Sequence, residues 1–169
     1  MRIPVFVSCP TSLNRTQDSA RRRVISELER LGLEPRALGR SDYPTDYPLR
    51  EVSVIAKHCS GGVILGFEQF YATAGFRKRG AKGESKISAP VSFPTSWNHL
   101  EAGILFGLKL PLLVFKEDGI EGGVFDNGVT DAFVHRMPDA KMKADAREAL
   151  TAVFLKWQAS VRRHYYRDE

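Results

Sequence analysis

The run GVILGF (residues 62–67) is the strongest indication of the fold, because it has no polar side chain and is bounded by polar sequence on both sides. Continuous apolar runs of this length are typical of strands that are covered on both faces of a parallel sheet. A second short run rich in β-forming residues, IPVFVS, occupies residues 3–8 and also suits a buried strand. The two runs predict the central strands of a sheet.

Helical periods alternate with these runs along the chain. Val24, Ile25, Leu28 and Leu31 recur at helical spacing, and Gly32 follows where a C-terminal glycine is favoured. The pattern predicts this helix from residue 17 to residue 31. Further helices are expected at residues 49–59, 95–108 and from about 139 to about 162, and further strands at 33–38, 111–115 and near 132–135.

This alternation predicts an α/β protein with a parallel sheet covered on both faces. We expect one domain over residues 1–169 with a flavodoxin-like three-layer sandwich, strand order 2-1-3-4-5, and a C-terminal helix. Ligands of such sheets bind outside the carboxyl ends of the strands, where strands 1 and 3 diverge. Three segments are expected to meet there: residues 8–18, the long loop at 68–94, and the start of the helix at 95.

The composition suits a soluble globular chain, with 43% hydrophobic and 27% charged residues among 169. Cys9 and Cys59 are too few for a disulfide scaffold or a cysteine-based zinc site, and they suit a reducing compartment. The longest apolar stretch, residues 102–108, is too short to span a bilayer. The N-terminus lacks the pattern of a signal peptide. We therefore expect a cytoplasmic protein with no membrane partner.

The net charge of +5 can attract phosphates or nucleic acid. Basic residues cluster at 21–23, 77–86 and 162–164, without the interleaved aromatic residues of RNA-binding proteins. Nucleic acid is therefore not expected as a partner, and an anionic small molecule such as a nucleotide is favoured over it. The cluster at 77–86 is interpreted either as a solvated loop or as a basic lid over a phosphorylated ligand.

The segment PTSWNHLEAGILFGL (residues 94–108) carries the strongest chemical signal. Thr95 or Ser96 can cap the helix, and Glu101 then falls in its second turn among apolar residues. A carboxylate in such a helix is costly unless it is compensated, and desolvation raises its pKa while the helix N-terminus lowers it. It can stabilise the positive charge of a sugar oxocarbenium ion. The alternatives are an ion pair with an arginine, or exposure to water beside Asn98.

The run SWNHLE (residues 96–101) resembles the S-W-C-x-x-E signature of TIR domains, whose glutamate is catalytic in the members that cleave NAD. EAG (residues 101–103) also resembles the E-x-G motif of nucleoside 2-deoxyribosyltransferases, which share the same general fold. The resemblance covers about residues 3–115 in element order. Asn98 replaces the TIR cysteine, and the aspartate and threonine of the transferase motif have no counterpart. The resemblance implies a nucleotide N-glycosidase that uses Glu101 at the anomeric carbon.

The same resemblance implies a substrate site without a metal or a tightly bound cofactor, with NAD or another nucleotide as the substrate. Ser8 and Thr11 follow strand 1 and would line the nucleotide pocket, whereas Trp97 either stacks on a base or belongs to the core, and Asn98 would position the substrate. Arg40 and Asp42 follow strand 2, where TIR domains carry a mobile loop that borders the active site. TIR enzymes commonly work as assemblies, so a homo-oligomer is expected, in a defence or signalling context. The substrate-binding residues implied are Ser8, Thr11, Arg40, Asp42, Trp97 and Asn98.

Two other interpretations stay open. The first is a TIR-like module without catalysis that senses a nucleotide or recruits a protein partner. The second is a cysteine phosphatase, because CPTSLNRT (residues 9–16) matches the C-x5-R-[S/T] loop whose thiolate attacks phosphate. Pro10 has no N–H to donate and the loop has no glycine, and both features argue against a phosphate cradle.

Overall fold

The computed structural model describes residues 2–39, 42, 46–139 and 141–167. The helices are α1 (Arg15–Arg30), α2 (Pro48–Lys57), α3 (Ser96–Gly107) and α4 (Ala144–Tyr165), and a short 3-10 helix spans Gly123–Phe125. The longer strands are β1 (Ile3–Ser8), β2 (Leu33–Arg36), β3 (Gly62–Gly66), β8 (Leu112–Lys116) and β9 (Val134–Arg136). Four short strands precede α3, namely β4 (Phe70–Ala72), β5 (Phe76–Arg77), β6 (Ser85–Lys86) and β7 (Val91–Phe93).

The central sheet has the order β2-β1-β3-β8-β9, and every neighbouring pair in it is parallel. Counted along the chain, these five strands therefore stand in the order 2-1-3-4-5. The predicted α/β class and parallel sheet are confirmed. In register, Val63 of β3 pairs with Val7 of β1 on one side and with Leu113 of β8 on the other. The apolar run at residues 62–67 thus contains the middle strand of the sheet.

Two layers of helices cover the sheet, because successive side chains of its strands point to opposite faces. Val63 and Leu65 of β3 belong to the core that includes Leu28 of α1 and the buried residues of α4. Ile64, between them in sequence, belongs to the core that includes Leu105 of α3 and the buried residues of α2. Full burial of each such side chain stabilises the fold by about 1.5–3 kcal/mol.

Some boundaries differ from the sequence prediction for local reasons. Strand β2 ends at Arg36 rather than at residue 38, because the Asp42 N–H donates to the Ala37 carbonyl and turns the chain. Helix α4 begins at Ala144 rather than near 139, since the Asp139 side chain accepts the Lys141 N–H in a preceding turn. These hydrogen bonds leave no trace in hydrophobic periodicity.

Residues 68–94, expected as a loop, contain two antiparallel strand pairs, one nested inside the other along the chain. Strand β4 pairs with β7, and β5 pairs with β6. Strands of two or three residues are too short to produce a periodic signal, so the sequence shows only weak periodicity there. None of the residues 68–94 is buried. We refer to residues 68–94 as the arm.

Gly66, at the end of β3, is predicted to be intolerant of alanine. A Cβ atom there would lie 2.3 Å from Cε1 of Phe125, whose ring is fully buried. Gly66→Ala should therefore lower the free energy of unfolding by about 1–3 kcal/mol, as measured by urea denaturation. Gly103→Ala is the matched control, because Gly103 lies within α3 with nothing within 4 Å of the added atom. It should raise stability by up to about 1 kcal/mol; equal stability of the two variants would contradict this packing.

Candidate functional site

Glu101 lies on the face of α3 that packs on the sheet. The buried residues of this helix are Asn98, Glu101, Ala102 and Leu105, at the spacing of a single helical face. The helix starts where the sequence predicts, because the Thr95 hydroxyl accepts a hydrogen bond from the N–H of the second helical residue. Two polar side chains therefore occupy positions that would ordinarily be apolar.

Glu101 lines a cavity of about 340 Å³ at the carboxyl ends of β1, β2 and β3. This volume falls within the range of small-molecule sites. The loop after β1, the start of the arm and the start of α3 all contribute to its wall, at the edge where parallel sheets bind ligands. The lining residues are Cys9, Pro10, Thr11, Leu38, Gly39, Pro48, Gln69, Thr95, Trp97 and Glu101.

Two hydrogen bonds in series, from Asn98 to Ser8 and from Ser8 to Glu101, hold the Glu101 carboxylate in position. The Asn98 side-chain amide Nδ2 donates to Ser8 Oγ at 2.8 Å, and the Ser8 hydroxyl hydrogen-bonds to Glu101. Ser8 is the last residue of β1 and is 1% exposed. Because its oxygen accepts from Asn98, its single proton is directed towards the carboxylate. Asn98 Oδ1 is buried and has no partner among the described residues.

Burial raises the pKa of Glu101 to about 7, and the hydrogen bond from Ser8 only partly offsets the rise. No ion pair joins Glu101 to any Lys, Arg or His in the part of the chain that the structure describes. The residue is only 9% exposed, so it does not point to bulk water. The protonated and ionised forms of Glu101 therefore coexist at neutral pH.

Three of the residues implied by the resemblance, Glu101, Thr11 and Trp97, line this cavity. Thr11 and Trp97 line it, and Trp97 is 39% exposed, so its ring is a wall of the cavity and not part of the core. Ser8 and Asn98 do not line the cavity. Ser8 hydrogen-bonds to Glu101, which does line it, and Asn98 hydrogen-bonds to Ser8. Arg40 lies outside the described residues.

Asp42 is engaged elsewhere and does not line the cavity. The Arg36 guanidinium donates from Nε to Asp42 Oδ2 at 3.0 Å and from Nη2 to Asp42 Oδ1. The hydrogen bond to Asp42 raises the pKa of Arg36 further. The Gly39 N–H also donates to the Asp42 carbonyl at 2.7 Å. The structure therefore gives Asp42 a role in fixing the turn after β2, which the sequence analysis did not foresee.

Sequence reasoning did not single out Gln69, which follows β3 by three residues and lines the cavity. Its Nε2 donates to the Ser12 carbonyl at 3.3 Å and so joins the start of the arm to the loop after β1. The position of Gln69 beyond the carboxyl end of a central strand was the available signal. Pro48, the first residue of α2, was also missed, because nothing in its surrounding sequence indicates contact with the other loops.

The segment that matches the phosphatase loop uses its amides to cap α1. Asn14 Oδ1 accepts the Gln17 N–H at 2.9 Å, and Gln17 Oε1 accepts the Asn14 N–H at 3.1 Å. Arg15 is exposed, and Cys9 lies in the wall of the cavity beside Glu101. Because the Asn14 N–H, one of the loop's donors, is already satisfied and the Asn14 side chain caps α1, the geometry gives little support to a phosphate cradle around Cys9.

Comparison with protein families, curated proteins and solved structures finds no match to this chain. Among the described residues, no group of three or more His, Cys, Asp and Glu side chains is placed to hold a metal ion. None of the described helices has both the length and the hydropathy to cross a membrane. The function is therefore argued from the cavity and its carboxylate.

The buried carboxylate should make stability depend on pH. The unfolded chain ionises Glu101 near its ordinary pKa of 4.5, whereas the folded chain does so near 7. Stability is therefore lost as the pH rises through this window, by about 3 kcal/mol in the limit. Glu101→Gln removes the effect, so its stability relative to the wild type should increase between about pH 5 and about pH 8 in urea denaturation.

The matched control is Glu29→Gln, the same chemical change at an exposed position of α1. Its stability relative to the wild type should stay constant over the same range. A constant difference for Glu101→Gln as well would contradict burial of the carboxylate.

Proposed function

We propose that the protein is a nucleotide N-glycosidase of TIR-like or deoxyribosyltransferase-like architecture, which cleaves NAD or a related nucleoside, or exchanges its base. The proposal rests on one observation: a buried carboxylate, without an ion-pair partner among the described residues, lines a cavity at the carboxyl ends of the central strands. A carboxylate held in this way has its charge available for a substrate.

The chemistry needs a negative charge beside the anomeric carbon. When a base leaves a ribosyl group, positive charge develops on the sugar as an oxocarbenium ion. Ionised Glu101 would stabilise this charge or form a bond to the anomeric carbon, and its surroundings strengthen the attraction because they exclude water. Ser8 would hold the carboxylate in one orientation, and Asn98 would hold Ser8.

The other cavity residues supply groups that suit a nucleoside. The Thr11 hydroxyl and the Gln69 carboxamide can hydrogen-bond to ribose hydroxyl groups, and the exposed ring of Trp97 offers a stacking surface for a base. A volume of about 340 Å³ is at the small end of the range for ligand sites, so it suits one base with its sugar. The phosphates of a nucleotide would then lie at the mouth of the cavity. This part of the proposal needs no tightly bound cofactor.

The resemblance extends the proposal beyond the site. It favours self-association into a homo-oligomer, and a role in defence or signalling in the cytoplasm. The alternative function is a module that binds a nucleotide without cleaving it. The substitution of Asn98 for the TIR cysteine favours this alternative, because the chain departs at that position from the motif of the catalytic members.

The wild-type protein is predicted to release nicotinamide from NAD, or a free base from a deoxynucleoside, as measured by liquid chromatography. Glu101→Gln should lower the rate at least about 100-fold, because the neutral amide cannot stabilise the developing positive charge. Glu29→Gln should leave the rate unchanged, since Glu29 is exposed on α1.

The outcome without turnover is also informative. If neither NAD nor deoxynucleosides are cleaved, and a nucleotide raises the melting temperature of both the wild type and Glu101→Gln, the protein is a sensing module. Absence of both turnover and a thermal shift would overturn the nucleotide site altogether.

The pH profile tests the hydrogen bond from Ser8. If ionised Glu101 is required, kcat/KM should rise with pH and reach half its limit near the pKa of about 7. Ser8→Ala removes the donor that lowers this pKa, so its midpoint should move to higher pH. Thr11→Ala should instead raise KM and leave the midpoint in place, because Thr11 lines the cavity without bonding to Glu101. An unshifted profile in Ser8→Ala would contradict the positioning role of Ser8.

A further inference from the structure

The arm has no core of its own. Its stem is the pair β4–β7, its outer part is the pair β5–β6, and residues 78–84 form its tip. Isolated two-stranded pairs are at best marginally stable in water. The arm nevertheless has defined strand pairing although none of its residues is buried. Such a surface is suited to contact with a partner.

Exposed aromatic side chains concentrate on the arm. Phe70 and Phe93 are opposite each other in the β4–β7 register, with ring centroids 6.2 Å apart and an interplanar angle of 48°. Phe70 is 63% exposed and Phe93 44%. Tyr71 and Phe76 are also more than half exposed. Solvent-facing rings on paired strands form a platform on which flat groups can stack.

The outer part of the arm is cationic. Five Lys and Arg residues in the arm stand against Glu68 and Glu84, so its net charge is +3. Glu84 accepts the N–H of Gly80 within the tip. No ion pair engages any of the five cations among the described residues. The cations are Arg77, Lys78, Arg79, Lys82 and Lys86.

A cavity of about 820 Å³ separates the arm from the loop after β8. Arg77, Lys86 and Phe93 line its arm side, together with the hydroxyl-bearing Ser85, Ser88 and Ser92. Glu121 and Asp126 line the opposite side, and Asp126 Oδ1 already accepts the Gly122 N–H at 2.9 Å. The arm side of this groove thus carries cations, hydroxyl groups and an aromatic ring, and this side suits a ligand with both negative charge and flat rings.

We propose that the arm and this groove bind single-stranded nucleic acid, with bases stacked on the platform of Phe70 and Phe93 and phosphates bound by the cations of the outer part. Aromatic platforms beside basic grooves are the general means of binding single strands without sequence preference. The sequence analysis expected no such partner, because basic and aromatic residues do not alternate along the chain. Strand pairing brings them together: Phe76 is opposite Lys86, ten residues away.

The order of groups along the arm favours a polyanion over a lipid surface. The rings of the stem lie nearest the sheet, and the cations lie in the outer pair of strands and at the tip. An arm that enters a bilayer would instead present its apolar groups at the far end. Contact between the arms of two copies is disfavoured by charge, because each arm carries a net +3.

The test measures fluorescence anisotropy of labelled oligo-dT and oligo-U of about twelve nucleotides with the full chain. The wild type should bind both, and its affinity should fall as salt is raised from about 50 to about 200 mM. Phe70→Ala combined with Phe93→Ala should weaken binding at least about fivefold. Arg77→Gln combined with Arg79→Gln should weaken binding and flatten its dependence on salt.

The matched controls lie on other surfaces. Phe133→Ala removes an aromatic ring that is 73% exposed, and Arg162→Gln with Arg163→Gln removes two exposed charges at the end of α4. Both should leave binding unchanged. Because the arm has no buried residue, its variants should keep the wild-type melting temperature, which checks that they fold.

Several results would overturn the proposal. These are no binding of either oligonucleotide, equal loss in the arm and control variants, or tighter binding of a duplex of the same length. Arm-dependent binding to phosphatidylserine vesicles without oligonucleotide binding would identify a membrane surface instead. The proposal is independent of catalysis, since Glu101→Gln should bind oligonucleotides as the wild type does. Loss of turnover and loss of strand binding are therefore separately measurable.

Discussion

The burial of the Glu101 carboxylate against the sheet is the constraint on which the site depends. Its neighbours on the same helical face, Ala102 and Leu105, stabilise the fold by apolar packing, whereas a carboxylate at such a position is costly. The hydrogen bond from Ser8 offsets only part of this cost, because the pKa of Glu101 is still raised to about 7. Positions at which a protein departs from its own packing pattern are typically functional. This reasoning gives Glu101 more weight than its motif alone does.

Close packing of helices on the central strands sets the geometry around this carboxylate. A Cβ atom on Gly62 would lie 2.7 Å from a methyl group of Leu105, and one on Gly61 would lie 2.6 Å from Val161. The missing side chains at the start of β3 therefore let α3 and α4 approach the sheet from opposite faces. With Leu105 held there, the preceding turn of α3 brings Glu101 to Ser8 at the end of β1. Small residues in the middle strand thus contribute to the site without touching it.

The sequence predicted those parts of the molecule whose signal is local and periodic. Strand β3 is a continuous apolar run, and Thr95 marks the start of α3 by a capping hydroxyl, so both were predicted closely. The bond between Asn98 and Ser8 joins residues ninety positions apart, so only the topology brings them together. The ion pair of Asp42 with Arg36 was not predicted, because it depends on the turn between them. The strand pairs of the arm were not predicted, because strands of two or three residues are too short to show a recognisable alternation of apolar and polar residues.

The start of the arm is also a wall of the Glu101 cavity, and one carboxylate helps to hold it in place. Glu117, after β8, accepts the N–H of Glu68 at 2.6 Å and the side-chain amide of Gln17 at 3.0 Å. Gln17 also donates to the Glu68 carbonyl at 3.1 Å, so the start of the arm is held to β8 and to α1 together. Gln69, the next residue, is a wall of the cavity. A displacement of the arm that breaks the contacts of Glu117 would therefore also displace a wall of the cavity.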